Sequence, residues 1–154
     1  MSNYFSNKQV KLLAEAKSSK NYVHLKNENQ SLKDIMNLKN LNKIISMHNC
    51  WDQNNFSLVL DKNIIPFRSF STDGNDLGFS KTSPDPIKVR NYIKKGASLV
   101  LNDIIYLSKD IQLLADDLQI ITNGKCQANL YFSMQSHQAF APHYDTHDVF
   151  ALHC

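Results

Sequence analysis

Cysteine is scarce in this 154-residue chain: Cys50, Cys126 and Cys154 are an odd number, far apart, with no CxxC pair. A disulfide framework and a cysteine zinc site therefore both lack support. The three read as free thiols of a reducing compartment, and a cytoplasmic location is expected. Long apolar runs are missing too. Nothing approaches the roughly 18 residues that a membrane helix needs, and the polar stretch over residues 1–20 lacks the apolar core of a signal peptide. Neither sign of charge dominates: 17 Lys and Arg against 14 Asp and Glu leave a net charge of +3 and a pI near 8.7. The lysines are scattered, which fits a solvated surface rather than direct nucleic-acid contact. Internal repeats and low-complexity tracts are absent, and the abundant Asn and Lys carry no functional weight.

What is present suits one soluble domain with a core. Hydrophobic residues make up 42% and charged residues 20% of the chain, both ordinary for a globular protein. Val10, Leu12, Leu13 and Ala16 predict a short helix over residues 8–16. A second pattern, Ile35, Leu38, Leu41, Ile44 and Ile45, falls at helical spacing behind a capping-box-like Ser31-x-x-Asp34. The texture changes at Phe56. Residues 56–60 alternate, Asp61-Lys62-Asn63 reads as a turn, and Ile64-Ile65 completes a hairpin. Residues 71–83, rich in Ser, Asp, Asn and Gly, read as a surface loop. Asp85-Pro86 then opens a helix that Gly96 closes, residues 97–101 form a short strand, and Ser108 caps a helix carrying Ile111, Leu114, Ala115 and Leu118. The expected organisation is α+β: a helical region over 1–55, then strands accumulating over 56–154 into a sandwich or barrel with helical decoration.

The chemistry lies in the last third. Residues 126–133 alternate strictly. Cys126, Ala128, Leu130 and Phe132 point one way, and Gln127, Asn129, Tyr131 and Ser133 the other. Such a polar face is usually solvated, but an amide and a phenol two residues apart also suit a carboxylate. Further on, Ala141-Pro142-His143-Tyr144-Asp145 leads into Thr146-His147-Asp148-Val149-Phe150, a run whose residues favour a buried strand over 143–153. On a strand, His143 and Asp145 share a face about 7 Å apart. An imidazole and a carboxylate suit a first-row divalent metal and are two thirds of a 2-His-1-carboxylate site. An isolated HxD triplet is more often a surface pair. His147 stands roughly 13 Å along an extended backbone from His143 and reads as a structural or supporting residue. His24, His48, His137 and His153 do not read as a third ligand, which is expected from a later strand beyond residue 154.

Residues 129–133 (Asn-Leu-Tyr-Phe-Ser) and 138–150 (Gln-Ala-Phe-Ala-Pro-His-Tyr-Asp-Thr-His-Asp-Val-Phe) together resemble the cupin-type JmjC oxygenases, in particular the ribosomal oxygenase group. Residues 96–102 (Gly-Ala-Ser-Leu-Val-Leu-Asn) resemble the strand before that core, so the likeness spans roughly 85–154. It implies a double-stranded β-helix of which the chain holds the N-terminal part, ending before barrel closure. It implies His143 and Asp145 as Fe(II) ligands, with no other catalytic residue, and Asn129 and Tyr131 lining the 2-oxoglutarate pocket, the phenol as a donor. It implies a lysine for the co-substrate carboxylate, a distal histidine ligand, and dimerisation and winged-helix regions, all beyond Cys154. The full-length protein is then a homodimer with no membrane segment. The implied reaction is hydroxylation of an unactivated C–H bond, with 2-oxoglutarate yielding succinate and CO2. The implied partner is a protein substrate, such as a ribosomal arginine or histidine. Met134, Ser136 and Ala139 stand where the family has Pro and Gly, and His153 where glutamine is common; these departures bear on substrate choice. Two other readings compete: a metal-binding cupin with different chemistry, and a non-catalytic barrel kept for binding. The 154 residues alone are expected to bind iron weakly and not to turn over.

Overall fold

A computed structural model describes residues 2, 4–26, 30–76, 79–134 and 139–153. Ser136, His137, Gln138 and Cys154 lie outside the described residues. The chain packs as two compact units, one formed by Met1–Asn42, Ile105–Ala128 and Asp145–Cys154, the other by Lys43–Ile104 and Asn129–Tyr144.

The first unit is helical. Helix α1 (Asn7–Ser19) starts at Ser6, whose hydroxyl accepts the Gln9 N–H while the Gln9 side chain accepts the Ser6 N–H. This capping box satisfies two of the donors that a helix start leaves orphaned. Helix α2 (Gln30–Asp34) and helix α3 (Leu38–Ile45) take the place of the single helix expected from Ser31. Ser31 falls inside α2 rather than before it. Asparagines make the break. The Asn37 side-chain oxygen accepts the Asn40 N–H, an N-cap for α3, and the Asn40 amide donates back to the carbonyls of Asp34 and Ile35. Helix α5 (Lys109–Thr122) follows Ser108 and buries Ile111, Leu114, Ala115 and Leu118, the face its 3.6-residue spacing predicts. Helix α1 packs on α5, with the Lys17 ammonium donating to the Thr122 carbonyl at the C-terminal end of α5.

The second unit is built on an antiparallel sheet. Strand β1 (Phe56–Leu60) turns through Asp61 and Lys62, both at positive φ (48° and 67°), into the two-residue strand β2 (Asn63–Ile64). Positive φ at both turn positions matches the right-handed twist of a tight hairpin. Strand β5 (Ser98–Leu101), with all four residues buried, lies between β1 and strand β6 (Leu130–Phe132), giving the order β2-β1-β5-β6. Phe56 pairs with Leu101 and Leu58 with Leu99; across the other edge Leu99 pairs with Phe132 and Leu101 with Leu130. Trp51, Phe56, Phe70 and Tyr92 form a chain of ring contacts, centroids 5.7, 5.9 and 6.4 Å apart, and the Trp51 indole N–H donates to the Ile44 carbonyl at 3.0 Å. Helix α4 (Pro86–Lys94) begins as read from the sequence. The Asp85 carboxylate accepts the N–H groups of Ile87 and Lys88, and Pro86 opens the first turn.

Three further expectations are corrected. Residues 71–83 are not a loop but a hairpin of β3 (Ser71–Asp76) and β4 (Phe79–Pro84). Its ladder is backbone hydrogen bonding, supported by Thr82 donating to the paired Asp73, so apolar alternation could not reveal it. The strand expected over 126–133 narrows to β6. Its partner β5 ends at Leu101, and Asp103 turns away at φ 56°, so residues 126–129 have no ladder to join. The strand expected over 143–153 is not formed. No described strand pairs with these residues, so no ladder forms there, and Val149 is 65% exposed. Helices and an antiparallel sheet are thus present, as expected for α+β, and no closed barrel exists among the described residues. No helix among them is long and apolar enough to cross a membrane.

Candidate functional site

Asn129, just before β6, and Tyr131, within it, are both exposed while Leu130 between them is buried. Their roles differ. The Asn129 side-chain oxygen accepts the Asp103 N–H at 3.1 Å, joining the start of β6 to the turn that leaves β5. A backbone N–H can only donate, so the bond fixes the amide orientation and makes the Asn129 NH2 the group available to an anionic ligand. Tyr131 is 62% exposed, and its ring meets Phe140 edge to face, centroids 5.9 Å apart at 89°. Phe140 in turn meets the His143 imidazole at 6.0 Å and 70°. Tyr131, Phe140 and His143 therefore form one chain of rings within the second unit.

The His143 Nδ1 lies 3.0 Å from the Ala141 carbonyl oxygen. A carbonyl only accepts, so Nδ1 donates in this contact, which in a neutral ring puts the lone pair on Nε2. Metal-binding histidines are oriented by this kind of outer contact. His147 repeats the pattern, with Nδ1 3.1 Å from the Asp148 carbonyl oxygen. The division between the two compact units passes between Tyr144 and Asp145, so the two predicted ligands belong to different units. Neutral imidazole and carboxylate are a donor set that fits a divalent first-row metal. No group of three or more His, Cys, Asp or Glu among the described residues is placed to hold a metal ion. A polar cavity lined by Arg68, Ser71, Asp73 and Thr82 includes none of the predicted site residues.

Phe140 is the residue that sequence reasoning passed over. It stands three positions before His143, within the stretch that carried the resemblance, but only the fold shows it seated between the phenol and the imidazole. Asp103 is a second such residue. Its contribution is a backbone N–H, which no side-chain pattern can announce.

Residues 100–154, about a third of the chain, match the family model described as the JmjC domain. No curated protein and no solved structure matches the chain. The matched stretch begins in β5 and contains Asn129, Tyr131, His143 and Asp145. JmjC domains belong to the cupin class and are generally found in Fe(II)- and 2-oxoglutarate-dependent oxygenases, and the match points to that family of enzymes.

Proposed function

We propose that residues 56–154 form the N-terminal part of a JmjC-type Fe(II)- and 2-oxoglutarate-dependent oxygenase domain, preceded by a helical region over 1–55. The enzyme hydroxylates a side chain of a protein substrate, with ribosomal proteins the expected class, in a reducing cytoplasm. The observation that carries this reading is the chain of rings from Tyr131 through Phe140 to His143, inside the stretch that matches the JmjC domain. Free thiols at Cys50 and Cys126 accord with the reducing compartment.

In this reading His143, through Nε2, and Asp145, through its carboxylate, hold the iron. The Tyr131 hydroxyl and the Asn129 NH2 donate to the co-substrate. Iron with 2-oxoglutarate and O2 supplies the oxidising power for C–H hydroxylation. The chain's own residues bind and orient: the Ala141 carbonyl holds the imidazole tautomer, and Phe140 holds its ring against the side chain that meets the co-substrate. One imidazole and one carboxylate by themselves make a weak site, so metal binding through His143 and Asp145 alone is weak.

Titration with Mn(II), which is redox-silent, tests the assignment. His143→Ala and Asp145→Ala should each weaken binding at least about tenfold, since even outer-contact losses cost that much at metal sites. Adding 2-oxoglutarate should tighten Mn(II) binding in the wild type and less so in Tyr131→Phe. Equal Mn(II) affinity in wild type and both ligand variants would refute the site. Binding that is indifferent to 2-oxoglutarate would point to a cupin with other chemistry.

A further inference from the structure

The amino-terminal arm has no part in the reading above, yet it reaches the segment that carries Asp145. Tyr4 and Phe5 are both only 6% exposed. The buried carboxylate of Asp117, on α5, accepts the Ser2 hydroxyl at 2.7 Å and the Tyr4 N–H at 3.2 Å. The Ser2 hydroxyl oxygen itself accepts the N–H groups of Tyr4 and Phe5, at 3.2 and 2.9 Å. The Tyr4 hydroxyl donates to the Asp110 carbonyl at 3.3 Å, in the first turn of the same helix. The arm is therefore fixed to α5 at several points that bridge more than a hundred residues of sequence. From this anchorage the Phe5 ring meets Phe150 edge to face, centroids 5.8 Å apart at 86°. Phe150 lies five residues after Asp145, in a stretch where neither helix nor strand supplies backbone support.

We propose that Ser2, Tyr4 and Phe5, locked onto α5 by Asp117, form a clasp that positions the Asp145 segment through the Phe5–Phe150 contact. Phe5 and Phe150 are positioning residues, and the proposal rests on the reading of Asp145 as a metal ligand. A segment without a ladder depends on side-chain contacts to hold it, and the edge-to-face pair of Phe5 and Phe150 is one such contact. Holding Asp145 within a narrow range lowers the entropy lost when it takes up a metal ion.

Two readouts on the intact chain separate the clasp from the metal assignment. Chymotryptic cleavage after Phe150 is measured relative to cleavage after Tyr22, which is 90% exposed and serves as an internal reference. Ser2→Ala and Phe5→Ala should raise the ratio roughly two- to tenfold, the range that the free energy of an aromatic pair confers. Ser2→Ala removes only a hydroxyl, so the test does not depend on Phe5→Ala folding. Mn(II) affinity is the second readout. It should fall by a similar factor in both variants and in Phe150→Ala, and return to near the wild-type value in Phe150→Tyr, which keeps the ring. An unchanged cleavage ratio overturns the clasp, and so does a raised ratio with Mn(II) affinity equal to wild type. A raised ratio in a protein whose wild type takes up no Mn(II) supports the clasp on the segment and removes the metal assignment instead.

Discussion

The side-chain oxygen of Asn129 accepts the backbone N–H of Asp103 at 3.1 Å, and Asp103 sits at φ 56°. One amide thus holds a left-handed turn at the end of β5 through its oxygen, which leaves its NH2 as the group that the proposed function assigns to the co-substrate. Asn129→Asp keeps the acceptor, whereas Asn129→Ala removes it. The alanine variant should lose about 0.5–1.5 kcal/mol of stability, the usual net worth of such a bond. The aspartate variant should lose less, yet repel an anionic ligand. Urea unfolding and 2-oxoglutarate-dependent Mn(II) titration measure the two effects separately.

Phe140 is 39% exposed and touches both Tyr131 and His143. Phe140→Leu removes the ring chain but leaves little buried volume empty. Stability should change by no more than about 0.5 kcal/mol, since leucine keeps most of the apolar contact of this partly exposed side chain. Mn(II) affinity should drop roughly two- to tenfold as the imidazole loses its neighbour. Loss of stability without loss of affinity would make Phe140 a packing residue only.

Trp51 is the single tryptophan and is 1% exposed, with its N–H bonded to the Ile44 carbonyl and its ring against Phe56. Native emission should be blue-shifted, moving red when the second unit unfolds. Trp51→Ala should cost about 3–5 kcal/mol. Trp51→Phe should cost less but more than zero, because the Ile44 carbonyl loses one of its two donors and keeps only the Met47 N–H.

Burial pushes the Cys126 thiol above its ordinary pKa, while Cys50 lies exposed. Less thiolate at Cys126 means slower alkylation. Iodoacetamide near neutral pH should therefore label Cys50 well before Cys126, as peptide mass mapping would show. Equal rates would mean that the residue 126 region opens readily.

Tyr4 has its phenol pKa raised above 10.0, first by burial, then by the nearby charges of Asp110 and Asp117. The fold thus favours the neutral phenol. This contribution is complete below pH 10 and is lost as pH rises above it, since the unfolded chain releases the proton first. The denaturation midpoint should fall above pH 10 in the wild type and fall less steeply in Tyr4→Phe.

Local chemistry explains which elements were legible. The cap at Asp85-Pro86 and the apolar face of α5 are encoded within a few residues and formed where read, and the turn read over 61–63 formed one residue shorter, with Asn63 already in β2. Alternation over 126–133 survives in burial: Ala128 and Leu130 are more covered than Asn129 and Tyr131, although only Leu130–Phe132 joins a ladder. The hairpin of β3 and β4 was hidden because its sequence is mostly polar and shows no apolar alternation. The asparagine break between α2 and α3 was hidden because capping by Asn37 competes with an otherwise continuous apolar period.

Sequence alone determined the identity and order of the groups that could do chemistry, an amide, a phenol, an imidazole and a carboxylate, because spacing and side-chain type are covalent facts. Tertiary structure decided their surroundings: Phe140 between Tyr131 and His143, Asp103 on Asn129, and Phe5 on Phe150 across the length of the chain. Those contacts join residues that are neighbours only after packing, and whether a run such as 143–153 becomes a strand depends on a partner edge rather than on its own composition.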